Sequence, residues 1–257
     1  MNAALVLPAR LASTRLPNKL LLNGSGKTVL EHTLDRAREA MALSNGLIVR
    51  VLVAADDERL IAAARRGGAD AVLTRADHTS GTDRIAEVAE KLSEELIVNL
   101  QADEPEIDPA NVVRVARLLA DSTEHAPMST LAVPIYNEET FLKASVVKVV
   151  VSGTGNALYF SRAPIPHLRD AADASLFNVG GRRVYGYHHL GLYAYRRAFL
   201  LGYKNLPASL LEKLEKLEQL RALEAGHTIK VGIATSNPPG IDTPEDYAAF
   251  LKRIARC

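Results

Sequence analysis

Residues 3–19, AALVLPARLASTRLPNK, begin as a short aliphatic run and continue into a loop that carries Arg10, Arg15 and Lys19. The run at 3–7, closed by Pro8, reads as a buried strand. Outward from it, similar runs return at 47–54, 69–73 and 96–100, with amphipathic stretches at 29–42, 58–66 and 83–92 between them. Val29, Leu30, Thr33, Leu34 and Ala37 fall at helical spacing, and Gly67 with Gly68 stops the second stretch. Strands alternating with helices predict β-α-β units and a mostly parallel, Rossmann-like α/β sheet with helices on both faces.

After residue 120 the texture changes. Residues 131–133, 146–151, 157–160 and 189–195 read as strands joined by turns, which predicts a smaller mixed or antiparallel extension. Residues 209–225 carry Leu210, Leu211, Leu214, Leu217, Leu220 and Leu223 and predict one amphipathic helix, used for core or dimer packing. The last helix opens with Thr243, Pro244, Glu245 and Asp246, a hydroxyl cap followed by proline and early acids. With 257 residues and no linker or repeat, one domain is expected.

Composition narrows the function. Lysine and arginine number 31 against 30 acids, a net charge of +1, so no overall field gathers nucleic acid or an acidic membrane. Any anion must be held by a local cluster. The single cysteine, Cys257, excludes an internal disulfide framework and a multi-cysteine metal site. The apolar run at 3–7 is shorter than a signal-peptide core, and no later segment approaches a membrane span. A cytoplasmic protein without membrane insertion is expected.

The loop at 8–19 leaves the first strand at its carboxyl end, where open α/β sheets place ligands. Three cations on one loop repel each other unless a polyanion sits among them, with backbone N–H groups completing the cradle. The competing reading is a solvated basic loop. Gly26-Lys27-Thr28 resembles the end of a P-loop, but Leu21 stands where that motif needs glycine, so 23–26 reads as a turn before a helix. The loop after the first strand has no glycine, which argues against a dinucleotide-binding oxidoreductase.

Three further features stand at strand ends or loops. Residues 74–84 read either as a capped turn, with Ser80 or Thr82 as cap and Gly81 in an unusual backbone conformation, or as a wall facing a nucleobase. Asp103 emerges from the fourth strand and Asp242 lies in a late loop. Magnesium takes one or two carboxylates together with phosphate and water, so the pair suits it if the fold unites them. Taken singly, Asp103 also reads as a turn former and Asp242 as part of a helix cap.

The blocks 8–19, 75–84, 101–105, 157–166, 189–195, 217–221 and 241–246, in this order, resemble the CMP-Kdo synthetases, the 3-deoxy-manno-octulosonate cytidylyltransferases, across essentially the whole chain. The resemblance implies a nucleotidyltransferase of lipopolysaccharide precursor synthesis, in which the 2-hydroxyl of the sugar acid attacks the α-phosphorus of CTP and releases pyrophosphate. It implies a nucleotide-binding part over about 1–125, a sugar-binding and dimerisation part over about 126–235, and a metal-ligand loop and helix at 236–257. Arg10, Lys19, Asp103 and Asp242 would be catalytic, with Mg2+ on Asp103 and Asp242. Pro8, Ala9, Arg10, Arg15, Lys19, Arg75, Ser80, Gly81, Asp83 and Gln101 would bind nucleotide. Arg162, His189, Tyr193, Glu218 and Gln219 would bind the sugar acid. A homodimer is implied as well.

Asn18 and Ala102 stand where the family has glycine, and Leu20 where it has proline. The stretch 170–187 fits the family poorly. Within the same chemistry, an 8-amino octulosonate analogue or a sialic-acid-like sugar is the alternative substrate. A nucleotide-binding regulator without turnover is the alternative class.

Overall fold

The computed structural model describes residues 1–78, 80–122, 126–167, 169, 178–179 and 181–255. Cys257 and the stretch 170–177 lie outside the described residues. In chain order the main elements are β1 (Ala3–Ala9), α1 (Val29–Leu43), β2 (Ile48–Ala55), α2 (Glu58–Arg66), β3 (Asp70–Leu73), α3 (Gly81–Ala89), β4 (Leu96–Asn99), α4 (Pro109–Ala120), β5 (Met128–Ile135), α5 (Glu138–Leu142), β6 (Lys148–Val151) and β7 (Ala157–Ser161). There follow β8 (Asn178–Val179), β9 (Arg182–Arg183), β10 (Gly186–Arg196), α6 (Arg197–Gly202), α7 (Leu210–Glu215), α8 (Gln219–Glu224), β11 (Ile229–Ile233) and α9 (Pro244–Ile254).

The central sheet runs β11-β5-β10-β4-β1-β2-β3, with β6 joined to β10 and β7 to β6. β1 pairs in parallel with β2 and β4, β2 with β3, and β5 with β11. β10 runs antiparallel to β4, β5 and β6, and β6 antiparallel to β7. The mostly parallel sheet with a smaller antiparallel extension is therefore as expected from the alternating texture.

Period-2 alternation splits β1 between two cores. Leu5 and Leu7 face one side with Leu30 and Leu34 of α1, Leu60 of α2 and Val112 of α4, while Ala4 and Val6 face the other with Ile85 and Val88 of α3. Both faces are covered, so the strands read as continuous apolar runs rather than as alternating ones. From β1 the chain steps outward to β2 and β3 and then returns to β4 on the opposite side of β1. That reversal opens a crevice between the carboxyl ends of β1 and β4.

Two expectations are corrected here. Residues 209–225 do not form one helix: α7 and α8 are separate, and Lys216 between them is left-handed at φ 54°. Glu215 explains the break, since its carboxylate accepts from Ser161 Oγ (2.5 Å) and Arg162 N (2.9 Å) and its carbonyl from Arg162 Nε (2.8 Å). Leu217 and Leu220 then turn into the core, whereas Leu210 and Leu214 stay 62% and 71% exposed. The second correction concerns Gly81, which has no positive φ and is the first residue of α3, packed 3.5 Å from Pro8 where a Cβ would stand. Ser80 is the cap, accepting from Asp83 N at 3.1 Å.

Candidate active site

The basic loop is shaped by its own residues. Asn18 adopts φ 54°, ψ 29°, a left-handed conformation asparagine tolerates, and starts the turn Lys19–Leu21 that aims Lys19 back across the sheet edge. Gly26-Lys27-Thr28 forms no phosphate loop: Thr28 and Glu31 make a reciprocal capping box at the start of α1, and Lys27 pairs with Asp35 at 2.7 Å.

Asp103 follows β4, in a segment held from below by Thr33 Oγ1, which donates to the Ala102 carbonyl at 2.9 Å. Asp242 lies just before α9, where Thr243 and Asp246 form a second capping box and Asp242 N donates to Asp246 at 3.1 Å. The two segments, 139 residues apart, are stitched directly: Ile241 N donates to the Asp103 carbonyl at 2.9 Å. Lys19 Nζ donates to Asp103, to Asp242 at 3.0 Å and to the Ile241 carbonyl at 3.0 Å. Arg15 reaches the other oxygen of Asp242 at 2.9 Å. Burial disfavours the charge on Lys19, but the two carboxylates outweigh it and raise its pKa above the usual lysine value.

Two cavities meet at these aspartates. One, of about 340 Å³, is lined by Pro8, Arg10, Arg15, Lys19 and Gln101 together with Asp103 and Asp242. The other, of about 510 Å³, is lined by His189, Tyr193, Gln219 and Asn237, again with Asp103 and Asp242. The acids thus stand in the wall common to both spaces. Gln219 is 4% exposed and its Nε2 has no hydrogen-bond partner among the described residues, so a buried donor is left for an occupant of the second cavity. Burial pushes the His189 pKa down to about 3, helped by neighbouring His188, and keeps the ring neutral.

Other sequence candidates lie elsewhere. Ala9 faces the core, fully buried, and does not line the first cavity. Arg75 and Asp83 line a separate hollow with Glu87 and Lys204. Ser80 and Gly81 shape the turn that abuts Pro8, and Arg10 donates to the His78 carbonyl at 2.7 Å, joining the two walls. Arg162 turns away from the second cavity and donates to the Glu215 and Ala144 carbonyls. Glu218 accepts from Thr82 at 2.8 Å, which ties α8 to α3. Asn237 and His188, hydrogen-bonded to each other at 3.1 Å, line the second cavity without having been singled out in the sequence. No short motif contains them; their signal is only proximity to Asp242 and His189.

The donor set fits a hard divalent ion. Two carboxylates are held side by side by Lys19, next to cations suited to phosphate. Among the described residues no group of three or more His, Cys, Asp or Glu is placed to hold a metal, so an all-protein cage is not formed. An ion bound by one or two carboxylates plus phosphate and water oxygens matches what is present.

A parallel sheet that delivers three cations and two acids to one crevice beside a second, polar cavity defines an α/β nucleotidyltransferase. A family model described as Cytidylyltransferase matches residues 4–229. The chain belongs to that family, and within it to the 3-deoxy-manno-octulosonate cytidylyltransferases. A protein of that name from Rhodopirellula baltica is 46% identical over 255 residues, covering 99% of each chain. One from Acidovorax sp. is 47% identical over 250 residues, covering 94% of this chain and 93% of its own. The solved structure of CMP:2-keto-3-deoxy-manno-octonic acid synthetase complexed with CTP superposes with a TM-score of 0.90 at 39% identity, covering 100% of this chain and 99% of that one. A cytidylyltransferase from Leptospira borgpetersenii, 17% identical with a TM-score of 0.63, shares the fold.

Proposed function

We propose that the chain transfers a cytidylyl group from CTP to the anomeric 2-hydroxyl of 3-deoxy-manno-octulosonate, forming the sugar-oxygen to α-phosphorus bond and breaking the bond to the pyrophosphate leaving group. The observation that carries this reading is the position of Asp103 and Asp242 in the wall shared by a basic cavity and a second, polar one. A triphosphate in the first and a sugar acid in the second would bring attacking oxygen and α-phosphorus together at the two acids, and positioning of this kind removes much of the barrier.

Arg10, Arg15 and Lys19 bind and orient the triphosphate, and Gln101 faces the same space. Lys19 keeps both carboxylates adjacent. Asp103 and Asp242 would hold Mg2+, which would supply Lewis-acid polarisation and a lower pKa for the attacking hydroxyl. In the second cavity, neutral His189, Tyr193 and Gln219 bond hydroxyls of the sugar. The Thr82–Glu218 bond couples the two substrate sides. Arg162 supports the loop before α8 through its bonds to the Glu215 and Ala144 carbonyls.

No helix among the described residues is long and apolar enough to cross a membrane. We assign the activity to the cytoplasm and to a homodimer, for which exposed Leu210 and Leu214 on α7 offer an apolar surface. Pyrophosphate release measured with the four nucleoside triphosphates against octulosonate, its 8-amino analogue and sialic acid tests the assignment. Release with CTP and octulosonate is expected; preference for another nucleotide or sugar overturns it.

A further inference from the structure

β10 carries two extra residues opposite β5: Leu190 pairs with Leu131 and Tyr193 with Thr130, so Gly191 and Leu192 bulge out of register. Thr130, fully buried, stands at the base of that bulge. Its Oγ1 lies 3.1 Å from the Leu190 carbonyl, 2.9 Å from the Leu192 carbonyl and 3.0 Å from His189 Nε2. A hydroxyl has one proton, and carbonyl oxygens only accept. The proton therefore goes to a bulge carbonyl, and the contact with His189 is satisfied only if the ring donates from Nε2 to the Thr130 oxygen.

That assignment settles the other nitrogen. A neutral imidazole with its proton on Nε2 presents a bare acceptor at Nδ1. No hydrogen bond to Nδ1 comes from a described residue, and His189 lines the second cavity. The ring is held edge-on by Phe160 at 4.8 Å and flanked by Tyr193 at 5.4 Å, and its backbone N donates to the Val147 carbonyl at 2.8 Å. Burial keeps the ring neutral, so the acceptor persists at neutral pH.

We infer that Thr130 is a positioning residue: anchored in the β10 bulge, it locks His189 in the Nε2-protonated tautomer so that Nδ1 accepts a hydrogen bond from a hydroxyl of the bound sugar. This rests on the second cavity being the sugar site, as proposed above. The bulge thereby acquires a use, since without its two inward carbonyls the threonine proton could turn to His189 and reverse the tautomer. With Gln219 Nε2 as an unpartnered donor in the same cavity, the two side chains together supply an acceptor and a donor, the pair that a hydroxyl satisfies by giving and taking a proton.

The test is long-range proton–nitrogen NMR on protein labelled at histidine nitrogen, with the His189 signals identified by their loss in His189→Asn. The wild type is expected to show Nε2 protonated and Nδ1 bare at neutral pH. Thr130→Val moves both nitrogens to intermediate shifts and raises KM for the sugar acid about five- to tenfold, the worth of one hydrogen bond, while KM for CTP is unchanged. Thr130→Ser restores both readouts. A wild-type ring protonated on Nδ1, or a Thr130→Val protein with unchanged nitrogen shifts or unchanged sugar-acid KM, overturns the inference. Should Thr130→Val not fold, His189→Asn, which can place an oxygen at the Nδ1 position, is expected to retain more sugar affinity than His189→Gln, and the reverse order overturns it. Absence of turnover by the wild type with CTP and octulosonate would refute the functional reading instead, and the nitrogen shifts would still decide the tautomer.

Discussion

Replacing Lys19 by methionine removes the one ammonium that holds Asp103 and Asp242 together. The side chain of Lys19 is 14% exposed, that of Asp103 27% and that of Asp242 50%, so the cluster is half-buried and water screens part of the interaction. Breaking a fully buried ion pair costs about 3–5 kcal/mol and an exposed one about 1 kcal/mol or less, which puts this site at about 1–2 kcal/mol. For a chain of this size that corresponds to a melting temperature lowered by roughly 2–8 °C. The two carboxylates left behind repel each other and gain from any divalent cation, so the loss should be large in chelator and mostly recovered in magnesium. Differential scanning fluorimetry of wild type and Lys19→Met in both conditions reads this directly. Turnover falls as well, by about a hundredfold or more, because Lys19 also orients the triphosphate. Equal melting temperatures for variant and wild type in chelator, or a deficit that magnesium leaves untouched, would refute the reasoning.

Two further outcomes follow from buried charge. His189 titrates near 6.5 when unfolded and at about 3 when folded, so the unfolded chain takes up a proton that the folded chain refuses; stability present at pH 7 is lost as pH falls toward 3. Urea unfolding of wild type against His189→Asn at pH 7 and pH 5 should show the wild type losing about 2 kcal/mol more than the variant; parallel losses would contradict it. Arg84 is 1% exposed and pairs with Asp56 at 3.2 Å, while Asp56 also accepts from Leu11 N at 2.9 Å. Arg84→Met should cost about 3 kcal/mol in urea unfolding, the low end for a broken buried pair because Leu11 still bonds the acid; a cost below about 1 kcal/mol would count against it.

Much of the sheet was legible because β1, β2 and β4 are covered on both faces and write themselves as apolar runs, and because caps such as Ser80 and Thr243 announce the helices they start. α4 and β11 had no counterpart among the expected elements, although Asp108 and Pro109 mark the start of α4 as a cap and a first-turn proline. The leucines at 209–225 misled for a different reason. Their helical period is real within α7 and within α8, but the break at Lys216 is set by Glu215 turning to Ser161 and Arg162, residues about fifty positions earlier. The cations of the first loop could be placed from sequence, because β1 delivers them to a sheet edge. Placing Asp242 beside Asp103 could not be derived from local pattern, since a backbone bond between distant segments creates it. Thr130 was invisible for the same reason: its role depends on a bulge in a partner strand.

In the proposed reaction Asp103 and Asp242 share the divalent ion at which the two substrates meet. Pyrophosphate release by Asp103→Asn and Asp242→Asn in magnesium, CTP and octulosonate tests it most directly, with circular dichroism to show that both remain folded. Turnover is expected to be lower by about a few hundredfold in each variant, the cost of one lost electrostatic contact of roughly 3–4 kcal/mol. Turnover like that of the wild type in either variant would contradict it.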